Sequence, residues 1–295
     1  MAAVLALLAS LVWGTSDFVG GLVSRRVRPM VVVGLAHLSV VVVLIVFAAS
    51  TGQLGAGLGY LPWAICGGIV GLIALVCFYA ALSRGVMGIV APIAGTGAVV
   101  PVVVGLASGE SPSVPQVVGI AVAIGGVMLA SGPELRGSGV SGGVKPLLLA
   151  CVAALGFGGA LVFIEKGARH NVVMTLIGMR VTSVLIVGLI GIGYLVMSRP
   201  GKRGGLDDRQ RPRLMPTTRK QFGAIVFVGW TDAGANGLYG AASRHGLVSI
   251  TAVLASLYPA VTVVLARIIE GEKTRRIQDV GIVLALGGIV LLAVG

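Results

Sequence analysis

Ten apolar runs, each close to the length a helix needs to cross a hydrocarbon core, constrain this chain more than any other feature. They cover about 3–23, 30–50, 61–82, 86–107, 115–132, 146–165, 172–198, 221–242, 246–269 and 277–294. The interruptions have physical causes. Arg25, Arg26, Arg28 and Pro29 close the first run, Gly109-Glu110-Ser111-Pro112 separates the fourth from the fifth, and residues 199–220 carry eight basic side chains. Period-two alternation is absent, which excludes a transmembrane barrel. Only 11% of the residues are charged, against about 25% in a soluble domain. The expected fold class is therefore an all-α integral membrane protein with ten transmembrane helices.

The two halves of the chain resemble each other. At an offset of 162, ten of the 21 positions from Gly109 to Leu129 recur, among them Glu110 on Glu272, Gln116 on Gln278 and Gly125-Gly126 on Gly287-Gly288. At an offset of 160, Tyr79 and Arg84 fall on Tyr239 and Arg244, and near the start the offset is about 142. The shift coincides with the basic insertion at 199–220. Low complexity would repeat Gly and Val, but not Glu, Gln, Tyr and Arg as well. The reading is a first five-helix repeat at 1–132, a linker at 133–145, and a second repeat at 146–295 that contains the basic loop. Five is odd, so the second repeat enters the membrane inverted. Inverted repeats characterise secondary carriers, whose substrate site lies near the bilayer midplane between the halves.

A formal charge of +12 would ordinarily raise nucleic acid as a partner. Here 18 of the 22 basic residues lie in alternate connections, those after runs one, three, five, seven and nine, or, for Arg267, within three residues of one, so the excess reads as a topology signal and no nucleic acid is expected. The positive-inside rule puts those connections in the cytoplasm of a cell-membrane protein and both chain ends outside. Cys66, Cys77 and Cys151 all lie in apolar runs and read as buried fillers of helix contacts rather than as a disulfide or zinc framework. The chain has no HExxH, GxSxG or phosphate loop, and its three histidines are dispersed, so neither an enzyme nor a cofactor is expected.

The segment Leu257-Tyr-Pro-Ala260 through Gly271-Glu-Lys273 to Gly281 and Gly287-Gly288, with Trp13-Gly14 near the start, resembles the EamA family of the drug/metabolite transporter superfamily. Pro259, 13 residues before Glu272, fits that pattern, whereas the first half has Gly97 at the corresponding place and its prolines at Pro92 and Pro101. The resemblance implies a ten-helix export or exchange carrier for small metabolites or drugs. Its central cavity would be lined mainly by spans 1, 3, 4, 6, 8 and 9, and both termini would be cytoplasmic, opposite to the charge count.

Ionisable groups inside spans are costly and need an explanation. Asp232 is the deepest acid, and Asn236 and Tyr239 follow it at i+4 and i+7 on one helical face. Asp17 shares a face with Trp13 but lies near the Arg25 end, where interfacial solvation competes with a functional role. Arg180, two turns into its run, either snorkels or pairs with an acid. Trp13, Phe157, Trp230, Tyr239 and Tyr258 are candidates for aromatic pocket walls, and His37 for a polar interhelix contact. Glu110 and Glu272 read as turn or helix-start residues, and the span with Pro92, Gly95, Gly97 and Pro101 as a hinge. The substrate-binding or coupling set is thus Asp232, Asn236, Tyr239, Asp17, Trp13, Tyr258 and Arg180, with a small-molecule substrate, the lipid bilayer and a candidate proton as partners. Two rivals stay open: another five-plus-five carrier class such as a sodium-coupled symporter, and a non-transporting membrane scaffold or receptor.

Overall fold

Helices occupy the apolar runs. The computed structural model describes residues 1–130, 144–197, 213–271 and 276–294. In chain order the helices are α1 (Ala2–Ser24), α2 (Pro29–Ser50), α3 (Leu61–Leu82), α4 (Met87–Gly95), α5 (Val99–Ala107), α6 (Val114–Ala130), α7 (Val144–Ala168), α8 (Val172–Met197), α9 (Arg219–Ser243), α10 (Val248–Ala255), α11 (Tyr258–Glu270) and α12 (Arg276–Val294). Most of the expected linker, most of the basic loop, and Glu272 lie outside the described residues.

Seven stretches are long and apolar enough to cross a membrane: α1, α2, α3 with its leading turn, α4 with α5, α7, α8 to Gly193, and α10 with α11. Helix α6 has 17 residues. Helix α9 spends part of its 25 residues on Arg219, Lys220, Asp232 and Asn236, which lowers its hydropathy. Among the described residues the extended structure is one parallel bridge. In it Arg213 N–H donates to Arg26 O at 2.8 Å and Arg28 N–H donates to Arg213 O at 2.9 Å, tying the first connection to the segment that enters α9.

Two spans are broken in mid-course. A 3₁₀ turn at Thr96–Ala98 separates α4 from α5, and Ser256–Leu257 separates α10 from α11. Proline supplies the cause in both, since it has no N–H for the carbonyl four residues back. Pro101 leaves Gly97 O without that donor, and Pro259 does the same to Ala255 O, where α10 stops. The prolines are not at matching positions, yet both breaks fall just ahead of one.

Helix starts use short polar signals. Ser113 Oγ accepts from Gln116 N–H at 3.4 Å while Gln116 Oε1 accepts from Ser113 N–H at 2.8 Å, a capping box at the start of α6. Thr218 caps α9 by accepting from Gln221 N–H at 3.2 Å. Gly109 and Gly271, which follow α5 and α11, have φ of 89° and 70° and so occupy the left-handed region that glycine adopts without strain.

Packing pairs helices from the two ends of the chain. Helix α1 lies on α9 and α11, α3 on α7, α2 on α8, and α6 on α12. Hydroxyls stitch these contacts: Ser16 Oγ donates to Val228 O at 3.2 Å, Ser183 Oγ to Gly68 O at 3.1 Å and Thr262 Oγ1 to Gly14 O at 3.1 Å. Backbones come close between α7 and the break separating α4 from α5, where a Cβ on Gly158 would stand 2.2 Å from Gly97 O. Outward faces are apolar, with Val42, Val46, Leu185 and Leu189 exposed. The cysteines depart from expectation. Cys66 and Cys151 are exposed and Cys77 is half-buried, because the small side chains that fill these helix contacts are mostly Ala and Gly.

Candidate functional site

Asp232 sits at the middle of α9, and the helices around it each deliver one polar group to its carboxylate. From α8, Arg180 Nη2 donates to Oδ2 at 2.6 Å. From α1, Trp13 Nε1 donates to Oδ1 at 3.2 Å. One turn along α9, Asn236 Nδ2 donates to Oδ1 at 3.1 Å and to the Asp232 carbonyl at 2.6 Å. From α2, His37 Nε2 stands 3.8 Å from Oδ2. Arg180 and Asp232 are both buried. A charge in this setting is tolerated only when paired and hydrogen-bonded. Arg180 therefore does not snorkel; the packing of α8 against α2 and α9 sends it inward to an acid 52 residues away.

This cluster forms one wall of a cavity that encloses about 680 Å³ of non-atom space, part of it open to solvent. The other walls are apolar or small: Gly67, Gly68 and Gly71 of α3, Ala94 and Gly97 at the broken fourth span, and Leu161 and Ile164 of α7. Ser256 and Tyr258 contribute from the break in the ninth span. Two of these glycines serve close packing: an added Cβ would stand 2.7 Å from Met179 O at Gly68 and 2.1 Å from Ala154 O at Gly97. Besides the six spans the resemblance implied, α2 and α8 also line it, through His37, Met179, Arg180 and Ser183.

An aromatic cluster closes one end. The Trp13 and Tyr258 rings meet edge to face with centroids 6.5 Å apart, Phe157 and Tyr258 at 6.2 Å, and Phe78 and Phe157 at 5.3 Å. Trp13, Phe157 and Tyr258 face the cavity. Tyr239 does not. It is fully buried against Trp13, with ring centroids 6.1 Å apart. Trp230 is half-exposed and outside the cavity.

Asp17 lines the same cavity and is 5% exposed. It is shielded from water by the helices packed around α1, chiefly α9 and α11. No hydrogen-bond donor reaches its carboxylate among the described residues. His37 is the group that sequence reasoning ranked too low. The repeat held the signal: His37 and Arg180 each lie eight residues past the start of their helix, α2 and α8, so the two helices carry a basic side chain at matching positions.

Glu110 lies in the turn after α5, its N–H donating to Gly105 O at 3.1 Å, and its side chain serves the start of a distant helix. It does not begin its own helix. Its Oε1 accepts from Val248 N–H at 2.6 Å and its Oε2 from Ser249 N–H at 3.0 Å, capping α10 from 138 residues away. Near the other ends of α1 and α11, Arg25 makes a two-pronged pair with Glu270 at 2.6 and 2.8 Å.

Comparison with known proteins adds the following. The model of the EamA-like transporter family matches residues 1–132 and 144–294. No curated protein matches the chain. A solved crystal structure of a protein is similar in fold, with a TM-score of 0.73 at 16% identity over 99% of this chain and 96% of its own.

Proposed function

Since the chain belongs to the EamA-like transporter family, within the drug/metabolite transporter superfamily, we propose that it is a secondary carrier that exports or exchanges small metabolites or drugs by alternating access. The family is one of membrane transporters rather than enzymes. The observation that carries the reading is the cavity holding a buried Arg180–Asp232 pair, lined from both ends of the chain.

In this proposal α6, α9 and α12 join the seven longer spans to make ten, arranged as two inverted five-helix repeats over 1–132 and 146–295. Several observations favour that arrangement. The contact of α1 with α9 has its counterpart in α7 with α3, and α2–α8 and α6–α12 pair like with like. Both broken spans are the fourth of their five, and both are followed by a glycine with positive φ, 162 residues apart. Rocking one set against the other about the breaks would expose the cavity to each side in turn. The protein would reside in the cell membrane with its basic connections cytoplasmic. Carboxylates at Asp17 and Asp232 make a proton the coupling ion to test first.

Purified protein in proteoliposomes is the test. Saturable flux of a member of a small-metabolite panel, abolished by Asp232→Asn with folding retained, supports the carrier. Flux at the rate of empty vesicles across the panel contradicts it.

A further inference from the structure

The cavity contains three formal charges and only one of them is unmatched. Arg180 and Asp232 neutralise each other at 2.6 Å, and Trp13 and Asn236 supply the remaining donors to Asp232. Asp17 has neither a cation nor a donor among the described residues, although it is 5% exposed and lines the cavity. His37, the other titratable group on the wall, lies beside Asp232 at 3.8 Å. A carboxylate removed from water without a partner is costly.

Beside Asp17 the wall is aromatic. Trp13 stands one helical turn before it, and Phe157 and Tyr258 complete the lining. The Tyr258 hydroxyl is buried with no hydrogen-bond partner, which leaves it free to accept from an N–H donor. Aromatic faces attract cations through their quadrupole, and more strongly where water is excluded. A bare metal ion fits poorly, because it wants several oxygen ligands and the described residues hold no group of three or more ligating side chains. The rest of the lining, Leu72, Leu75, Leu161 and Ile164, suits an apolar body.

We infer that Asp17 is the counter-ion of a bound organic monocation, an ammonium carried on an apolar or aromatic skeleton, with Tyr258 accepting a further N–H and Trp13 and Phe157 packing on the skeleton. This deepens the carrier reading and rests on it. One uncompensated carboxylate selects single positive charge, since the Arg180 charge is already balanced by Asp232 at 2.6 Å.

The experiment compares three ligands on one skeleton: phenethylammonium, phenethyl alcohol and 3-phenylpropanoate. Binding to the purified full-length protein is followed by thermal stabilisation, and flux is followed in proteoliposomes. The assignment predicts that the ammonium binds most tightly. It also predicts that Asp17→Asn weakens it by about tenfold or more while shifting the alcohol little, and that Asp17→Glu restores much of the loss. Equal affinity for the three ligands, or an unchanged ammonium affinity in Asp17→Asn, overturns it. So does the absence of saturable ammonium binding. Flux of the alcohol or the carboxylate without ammonium binding overturns the assignment and leaves the carrier standing. Ammonium binding that depends on Asp17, with no flux of any ligand, leaves the site standing and overturns the carrier.

Discussion

The Arg180 guanidinium donates to Asp232 Oδ2 at 2.6 Å, across the contact between α8 and α9 and inside a cavity whose other walls are mostly apolar. Both side chains are buried, so each charge depends mainly on the other for its partner. Breaking a buried pair by removing one member costs about 3–5 kcal/mol, because the survivor is left charged and unmatched. Arg180→Gln and Asp232→Asn should each lower thermal stability in detergent by an amount in that range. The double variant replaces the charges with neutral groups that still hydrogen-bond, and it should recover most of the loss. A double-mutant cycle measures the coupling. Additive losses would mean that the two charges do not act as a pair.

Glu110 satisfies two of the free N–H groups at the start of α10. Glu110→Ala should cost about 0.5–2 kcal/mol, the usual range for losing a cap. Glu110→Gln keeps an amide oxygen as acceptor and should lose less. Amide exchange at Val248 and Ser249 is the direct readout, with faster exchange in Glu110→Ala than in Glu110→Gln.

Gly158 and Gly97 let the backbones of α7 and the fourth span touch. An added Cβ on Gly158 would meet Gly97 O at 2.2 Å and Val100 Cβ at 2.7 Å. Gly158→Ala should therefore destabilise by about 1–3 kcal/mol. Gly125, in α6, has nothing within 4 Å of its added Cβ, so Gly125→Ala should be neutral or stabilise by up to about 1 kcal/mol. Paired thermal melts check the contrast.

The helices were legible because spans announce themselves in runs of apolar residues, and the expected ends fall within a few residues of the observed ones. Proline made the break in the fourth span legible too. Interhelix register is a different kind of information. It depends on which faces pack, and a periodic pattern says only which residues share a face. Asp232, Asn236 and Tyr239 do share one, yet the neighbouring Trp13 takes Tyr239 into the packing and leaves the other two on the cavity. Asp17 stays open between two readings in the sequence for a related reason: counting residues from Arg25 gives position along α1, not the cover that neighbouring helices put over it. The partnership of Arg180 with Asp232 is long-range and charge-specific, and no local pattern could name it.

Side-dependent access to the cavity tests the central claim most directly. Ser256 lines the cavity at the break of the ninth span, so a single cysteine there, in a background with Cys66, Cys77 and Cys151 replaced by alanine, reports on both mouths. A membrane-impermeant thiol reagent is applied to oriented proteoliposomes from one side and then, in a separate sample, from the other. A carrier that alternates access predicts that Ser256→Cys is labelled from each side, with protection by saturating substrate. Labelling from one side alone, or from neither, would contradict the account.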